Sequence, residues 1–434
     1  MAHRVLLALL PLLLATMASA ASRAGWQAPV TLFAAPDKGT VSTPHVGIDG
    51  RGTVTALWTA LGSPTSVEVA QRRANGSWTA PRAIPGGAFE RLAVNARGEA
   101  VAVWEEGNGA DQHVRAAFRT AGGRWLPPRT VSPPGEQAFD PRVGLDGRGR
   151  ALVVWESFHG LSQQTDPTLE SSTRARSGSW SGARTLCACS VDYYFDLAVA
   201  PSGEALVVWG QRCCGTSGVK VAVRSAAGRW AAPQLLSPTY SGISATRASL
   251  NATGTAVVTW GVAYDGLDVA VRPRGGRFGH PQLLGSDVRA GVGVGLASTG
   301  ASVVTWATHC CLYAAERRPG AASFAPVQTL VKASLDVPAL EPSVAMDKRG
   351  DAILAWMNAG NGRVTVRAAR SPAGGAFASS HVLGDVGADC YKHACCFADP
   401  AAVSAPDGSA VVLWLARPDP RRGCSEVRAA ALTR

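Results

Sequence analysis

The chain has 434 residues, with 42 Lys and Arg against 31 Asp and Glu and a formal net charge of +11. Arginine dominates that excess, acids are interspersed with it, and no run of five like charges occurs. Such a balance suits weak attachment to acidic cell-surface polymers and argues against a nucleic-acid protein, because no basic stripe or recognition motif accompanies it.

The first element in chain order is a secretory signal. Arg4 supplies the positive start, Val5 to Leu14 an apolar core, and Ala18-Ser19-Ala20 a small-residue cleavage site. The core is too short to span a bilayer, and no later segment approaches ~18 uninterrupted apolar residues. The expectation is a signal peptide over 1–20, then one secreted domain over 21–434 without a membrane span, residing outside the cell or in the envelope space.

From there on the sequence repeats. Trp58, Trp104, Trp155, Trp209, Trp260, Trp306, Trp356 and Trp414 each end an apolar run, at intervals of 46 to 58 residues. Trp26, Trp78, Trp125, Trp180 and Trp230 open a second kind of segment, and Phe278, Phe324 and Phe377 hold that place in later copies. A fixed period of this size marks a propeller, solenoid or array. Within one copy the order is LAVNARG, EAVAVWEE, HVRAAFR and WLPPRTV: four short strands with turn residues between them. Eight such copies predict an all-β chain forming one β-propeller of eight four-stranded blades, seven if one copy is incomplete. The segment after the signal begins as a fourth strand, WQAPVTL, and the last segment, VRAAALTR, is a third strand. Joined, they complete a blade and close the ring, which removes an exposed sheet edge.

The fourth strands are introduced by x-G-x-W turns, as in Asn75-Gly76-Ser77-Trp78 and Ala227-Gly228-Arg229-Trp230. These resemble degenerate Asp-boxes of sialidase-superfamily propellers, which implies a sialidase-like bacterial propeller. The box aspartate is absent, and the family's catalytic residues and three substrate-binding arginines are not recognisable.

Cysteine usage is uneven. None occurs before Cys187; then come Cys187, Cys189, Cys213, Cys214, Cys310, Cys311, Cys390, Cys395, Cys396 and Cys424. In an exported chain these read as disulfides. The strand order places all ten on loops of one face, with two bridges expected within 187/189/213/214 and two within 390/395/396/424. Cys310 and Cys311 would pair with each other or cross-link elsewhere. Spacings such as C-x-x-H-x-C-C lack paired zinc-ligand geometry, so no metal and no cofactor is expected.

The repeat Trp residues read as core between blades. Aromatics that break the repeat, Tyr193, Tyr194, Tyr240, Tyr264 and Tyr391, are the candidates for stacking on a ligand. Glu105 and Glu156 directly follow their repeat Trp, where other copies carry uncharged residues. With Glu106, Asp192 and Asp196 they are the candidate rim carboxylates for glycoside chemistry. Third-strand arginines, among them Arg119, Arg174 and Arg272, read as packing over a neighbouring aromatic or pairing across a blade. Asp49, Asn95, Asp146, Asn251 and Asp347 read as turn caps. The expected function is an exported recognition module for a carbohydrate or cell-envelope polymer. The alternatives are a sialidase-like hydrolase or lyase and a structural or protein-binding propeller. Oligomeric state stays open.

Overall fold

The computed structural model describes residues 25–36, 39–62, 64–158, 167–188, 191–212, 217–238, 242–262, 266–286, 288, 290–308, 311–332, 339–360, 363–388, 400–419, 421 and 423–433. They form eight antiparallel sheets, seven built from strands consecutive in sequence and the eighth joining the start of the chain to its last strands. Blades are numbered 1–8 by their second strands: Val54–Leu61, Ala100–Glu106, Ala151–Phe158, Ala205–Gln211, Ala256–Val262, Ser302–Ala307, Ala352–Gly360 and Ala410–Ala416. Eight blades are therefore present, and no copy of the repeat is missing its blade.

The second strands read as nearly continuous apolar runs because both of their faces are covered by neighbouring blades. The repeat Trp of every blade is at most 1% exposed. Each sits at a seam between blades, and two seams show how closely. A Cβ on Gly285 in blade 5 would lie 2.9 Å from the Trp306 ring of blade 6, and one on Gly384 in blade 7 would lie 2.8 Å from Trp414 of blade 8.

Blade 8 is completed by the start of the chain. Gly25–Trp26 and Val30–Ala34 pair with Glu426–Thr433, in the registers Trp26↔Leu432 and Val30↔Ala429. The ring closes as the sequence predicts.

Around the outside, two devices tie the blades. In the later blades a fourth-strand glutamine grips the backbone of the next blade's Phe. Gln282 donates from Nε2 to the Phe324 carbonyl at 3.4 Å, and its Oε1 accepts from the Phe324 amide at 2.8 Å. Gln234 with Phe278 and Gln328 with Phe377 repeat the clasp. In blades 1–4 the same turn carries Trp, bridged through the backbone to the third-strand arginine, as in Arg119↔Trp125. Third-strand arginines, in blade 5 as well, also reach back one blade. Arg174 stacks over Phe118 at 3.7 Å from the ring centroid, Arg119 donates to Thr55 Oγ1 at 2.8 Å, and Arg272 pairs with Glu204. The turn residues act as caps: Asp49 Oδ1 accepts from the Arg51 and Thr53 amides at 2.9 and 2.8 Å.

Candidate functional site

The inner strands line the central channel, and one register position on them faces its counterparts around the ring. It lies opposite the residue before the repeat Trp. In blades 1 to 8 it is His45, Arg91, Arg142, Asp196, Arg247, Gly293, Ser343 and Ala401. Five consecutive blades contribute charged or titratable groups; the remaining three contribute small neutral ones. His45, Arg91, Arg142, Asp196 and Arg247, with Thr43, Leu92, Val143 and Leu197, line one cavity of about 410 Å³. Beneath this column the inner strands press together: a Cβ on Gly144 would fall 2.1 Å from Val199 Cγ2. Glycine there is required by the close approach, and it gives the polar column a packed base.

The arginines are held differently. Arg142 pairs with Asp140 and lies over the Phe195 ring, 5.1 Å from its centroid. Burial acts against its charge, but Asp140, Asp196 and Glu156 outweigh burial, so its pKa is raised. Arg91 donates to its neighbour's Glu90 carbonyl at 2.9 Å and lies 3.5 Å from Asp140. Burial and the Arg142 charge bring its pKa down to about 10, still far above neutrality. Arg247 has less company. It donates to the Thr246 carbonyl at 2.9 Å and, among the described residues, meets no carboxylate within ion-pair distance. Three guanidiniums thus converge while one of them lacks a counter-charge.

His45 completes the column. Arg91 Nη1 stands 3.4 Å from His45 Nε2; a guanidinium can only donate, so this nitrogen accepts. Burial, then Arg91 and Arg142, push the imidazole pKa well below its ordinary value, which keeps the ring neutral at neutral pH. Asp196 is satisfied by backbone: its oxygens accept from the Leu197 amide at 2.9 Å and the Ala248 amide at 2.8 Å. It ties blade 4 to blade 5.

Two of the inner strands carry a strained bulge beside the arginines. Among the described residues the only non-glycine residues at positive φ are Phe89 (55°) and Asp140 (48°). Each stands two residues before its blade's arginine, where the register slips between Ala88 and Arg91 and between Phe139 and Arg142. That conformation costs an L-residue about 1–2 kcal/mol. It turns the Asp140 carboxylate onto Arg142 and Arg91.

Of the predicted rim carboxylates Asp196 lines the cavity, whereas Glu105, Glu156 and Glu106 are not among the lining residues. Glu105 is buried, accepting from the Asp140 amide at 2.6 Å and from Gln112 Nε2 at 2.7 Å, so it braces the strained bulge. Burial raises its pKa, partly offset by those two hydrogen bonds. Glu156 is only 3% exposed, paired in register with Phe139. Glu106 serves the Trp104 indole at 3.1 Å and Arg115 at 2.7 Å. Of the stacking candidates, Tyr194 is exposed at the start of the blade 4 inner strand. Tyr193 belongs to that strand, but its side chain lies outside the described residues, as do Tyr240, Tyr264, Tyr391 and the Asp192 side chain.

The cysteines described are Cys187, Cys311 and Cys424, all buried. Cys187 ends a fourth strand, Cys311 begins a third strand and Cys424 precedes one. All three therefore lie at the end of the ring where the inner strands begin. Cys187 Sγ is 3.7 Å from Gln211 Oε1 in the next blade. Cys189, Cys213, Cys214, Cys310, Cys390, Cys395 and Cys396 lie outside the described residues. Among the described residues no three His, Cys, Asp or Glu side chains gather as a metal site.

Sequence reasoning missed Arg91, Arg142 and Arg247, yet a signal was there. Each column residue lies four positions before the turn-cap position of its repeat, as His45 before Asp49, Arg91 before Asn95, Arg142 before Asp146 and Arg247 before Asn251.

No family model matches the chain, and no curated protein matches it. Among solved structures, the BP39L lectin from Burkholderia pseudomallei is similar at a TM-score of 0.52 and 14% identity, over 82% of this chain and 100% of the lectin. The polysaccharide lyase Uly1 aligns at 0.47 and 10% identity, over 77% and 87% of the two chains. The NanB sialidase from Streptococcus pneumoniae aligns at 0.41 and 9% identity, over 93% and 94%. The likeness is one of fold: the chain is an eight-bladed β-propeller, as its repeat predicts.

Proposed function

We propose that this propeller is an exported recognition module that binds the carboxylate of an acidic saccharide at the mouth of its channel. One observation carries the reading. Arg91, Arg142 and Arg247 converge on one cavity, and Arg247 has no carboxylate partner among the described residues. Planar guanidiniums match a carboxylate through paired N–H donors, and a cavity of about 410 Å³ has the size of a small-ligand site. Neutral His45 adds a polar group without a charge, while Asp140 and Asp196 offset part of the positive charge of the three guanidiniums and leave an excess for a ligand carboxylate. Cystines on the surrounding loops would hold that face in one shape, each adding roughly 2–4 kcal/mol.

Binding without turnover is the form we favour, because Glu105, Asp140 and Asp196 each carry a structural hydrogen bond or ion pair rather than facing the cavity unengaged. The test is to incubate the oxidised protein with galacturonate, tetragalacturonate, N-acetylneuraminate, 3′-sialyllactose and neutral lactose, scoring retained and released sugar by mass spectrometry. Retention of acidic but not neutral sugars supports the proposal. Released product overturns the binding-only form. Retention of lactose alone, or of nothing, removes the carboxylate reading.

A further inference from the structure

Exposed aromatics are confined to one place in the repeat. Among the described Phe, Tyr and Trp side chains only two are exposed, Phe89 at 61% and Tyr194 at 45%. Both stand two residues before the channel column, Phe89 before Arg91 on blade 2 and Tyr194 before Asp196 on blade 4. On the blade between them the same place holds Asp140, whose carboxylate meets Arg142 and Arg91. Phe89 shares the positive φ of Asp140, so its side chain leaves the bulge in the direction that brings Asp140 to the column. Core packing does not account for that conformation, because the phenyl is left uncovered.

Resting on the carboxylate reading above, we infer that Phe89 and Tyr194 are stacking platforms on either side of the arginine cavity. The ligand is accordingly an acidic oligosaccharide of more than one ring. A pyranose presents an apolar C–H face that packs on an aromatic ring while its polar edges reach donors. The arginines supply donors for a carboxylate, and the two aromatics supply surfaces on alternate blades. With the Asp140 blade standing between the two aromatics, an extended chain crossing from blade 2 to blade 4 is the ligand that would engage both.

The experiment compares chain lengths on the full protein by titration calorimetry, with tetragalacturonate against galacturonate and 3′-sialyllactose against N-acetylneuraminate. The wild type should bind at least one oligosaccharide about tenfold or more tightly than its acidic monosaccharide. Phe89→Gly and Tyr194→Ala should each weaken the oligosaccharide by about tenfold and shift the monosaccharide by less than twofold. Glycine tolerates positive φ, so Phe89→Gly should melt no lower than the wild type, separating lost contact from lost fold; Phe89→Trp should retain the affinity. Equal affinity for oligomer and monomer, or oligomer binding unchanged in both variants, overturns the platforms and leaves the carboxylate site standing. If no acidic sugar of either length binds, both readings fall together.

Discussion

The two arcs of the channel differ in chemistry while sharing one backbone. Blades 1–5 place His45, Arg91, Arg142, Asp196 and Arg247 at the column; blades 6–8 place Gly293, Ser343 and Ala401 in the same register. The repeat Trp does not follow this division, being buried in every blade. A repeated fold thus separates its tasks by position. One column builds the seams and is invariant around the ring; another faces the channel and is free to vary. The site arises where that second column breaks symmetry, and among the described residues the non-glycine residues at positive φ, Phe89 and Asp140, both stand on the charged arc.

If this separation is right, the largest effects should ignore the arcs. Trp155→Ala in the charged arc and Trp356→Ala in the neutral arc should each cost about 3–5 kcal/mol in chemical denaturation. A difference of several kcal/mol between them would mean that the arcs are not equivalent as scaffold. Arg247→Ala should next weaken acidic-sugar binding by 10- to 100-fold, the loss of about 1.5–3 kcal/mol expected for charged hydrogen bonds. Ser343→Ala, at the same register position on the neutral arc, should change it by less than twofold in the same titration. Gln282→Ala removes both bonds of one inter-blade clasp and should cost about 1–2 kcal/mol without affecting binding.

A smaller effect concerns pH. The folded His45 has a pKa well below its ordinary value through burial, Arg91 and Arg142, so below pH ~6.5 the unfolded chain binds a proton that the folded chain does not. Its contribution to stability is therefore present above that pH and is lost as pH falls, at no more than about 1.4 kcal/mol per pH unit. Denaturation of wild type and His45→Gln from pH 7.5 to 5 should show the wild type losing more stability. Parallel curves would mean that His45 is readily protonated in place.

Much of the scaffold was legible because it repeats. The spacing of Trp58 to Trp414 gives the blade number, and the WQAPVTL and VRAAALTR segments give the closure that Trp26↔Leu432 realises. The site was less legible because it is a property of the closed ring. Arg91, Arg142 and Arg247 stand on blades 2, 3 and 5, far apart in a chain rich in arginine, and only ring closure brings them to one cavity. Glu105 and Glu156 are the more conspicuous in sequence because they depart from their copies, but burial turns Glu105 into a brace for the Asp140 bulge. Phe89 carried no local mark, since positive φ at a phenylalanine follows from a register slip between strands and not from its neighbours in sequence.

The most direct measurement pairs a ligand change with a protein change: calorimetric titration of wild type and Arg247→Ala with tetragalacturonate and 3′-sialyllactose, and with their carboxyl-reduced forms. The account predicts that wild type binds an acidic form, that reduction of the carboxyl abolishes this binding, and that Arg247→Ala weakens the acidic form by at least tenfold while leaving the melting temperature nearly unchanged. Equal binding of the acidic and reduced forms, or undiminished binding by Arg247→Ala, would contradict it.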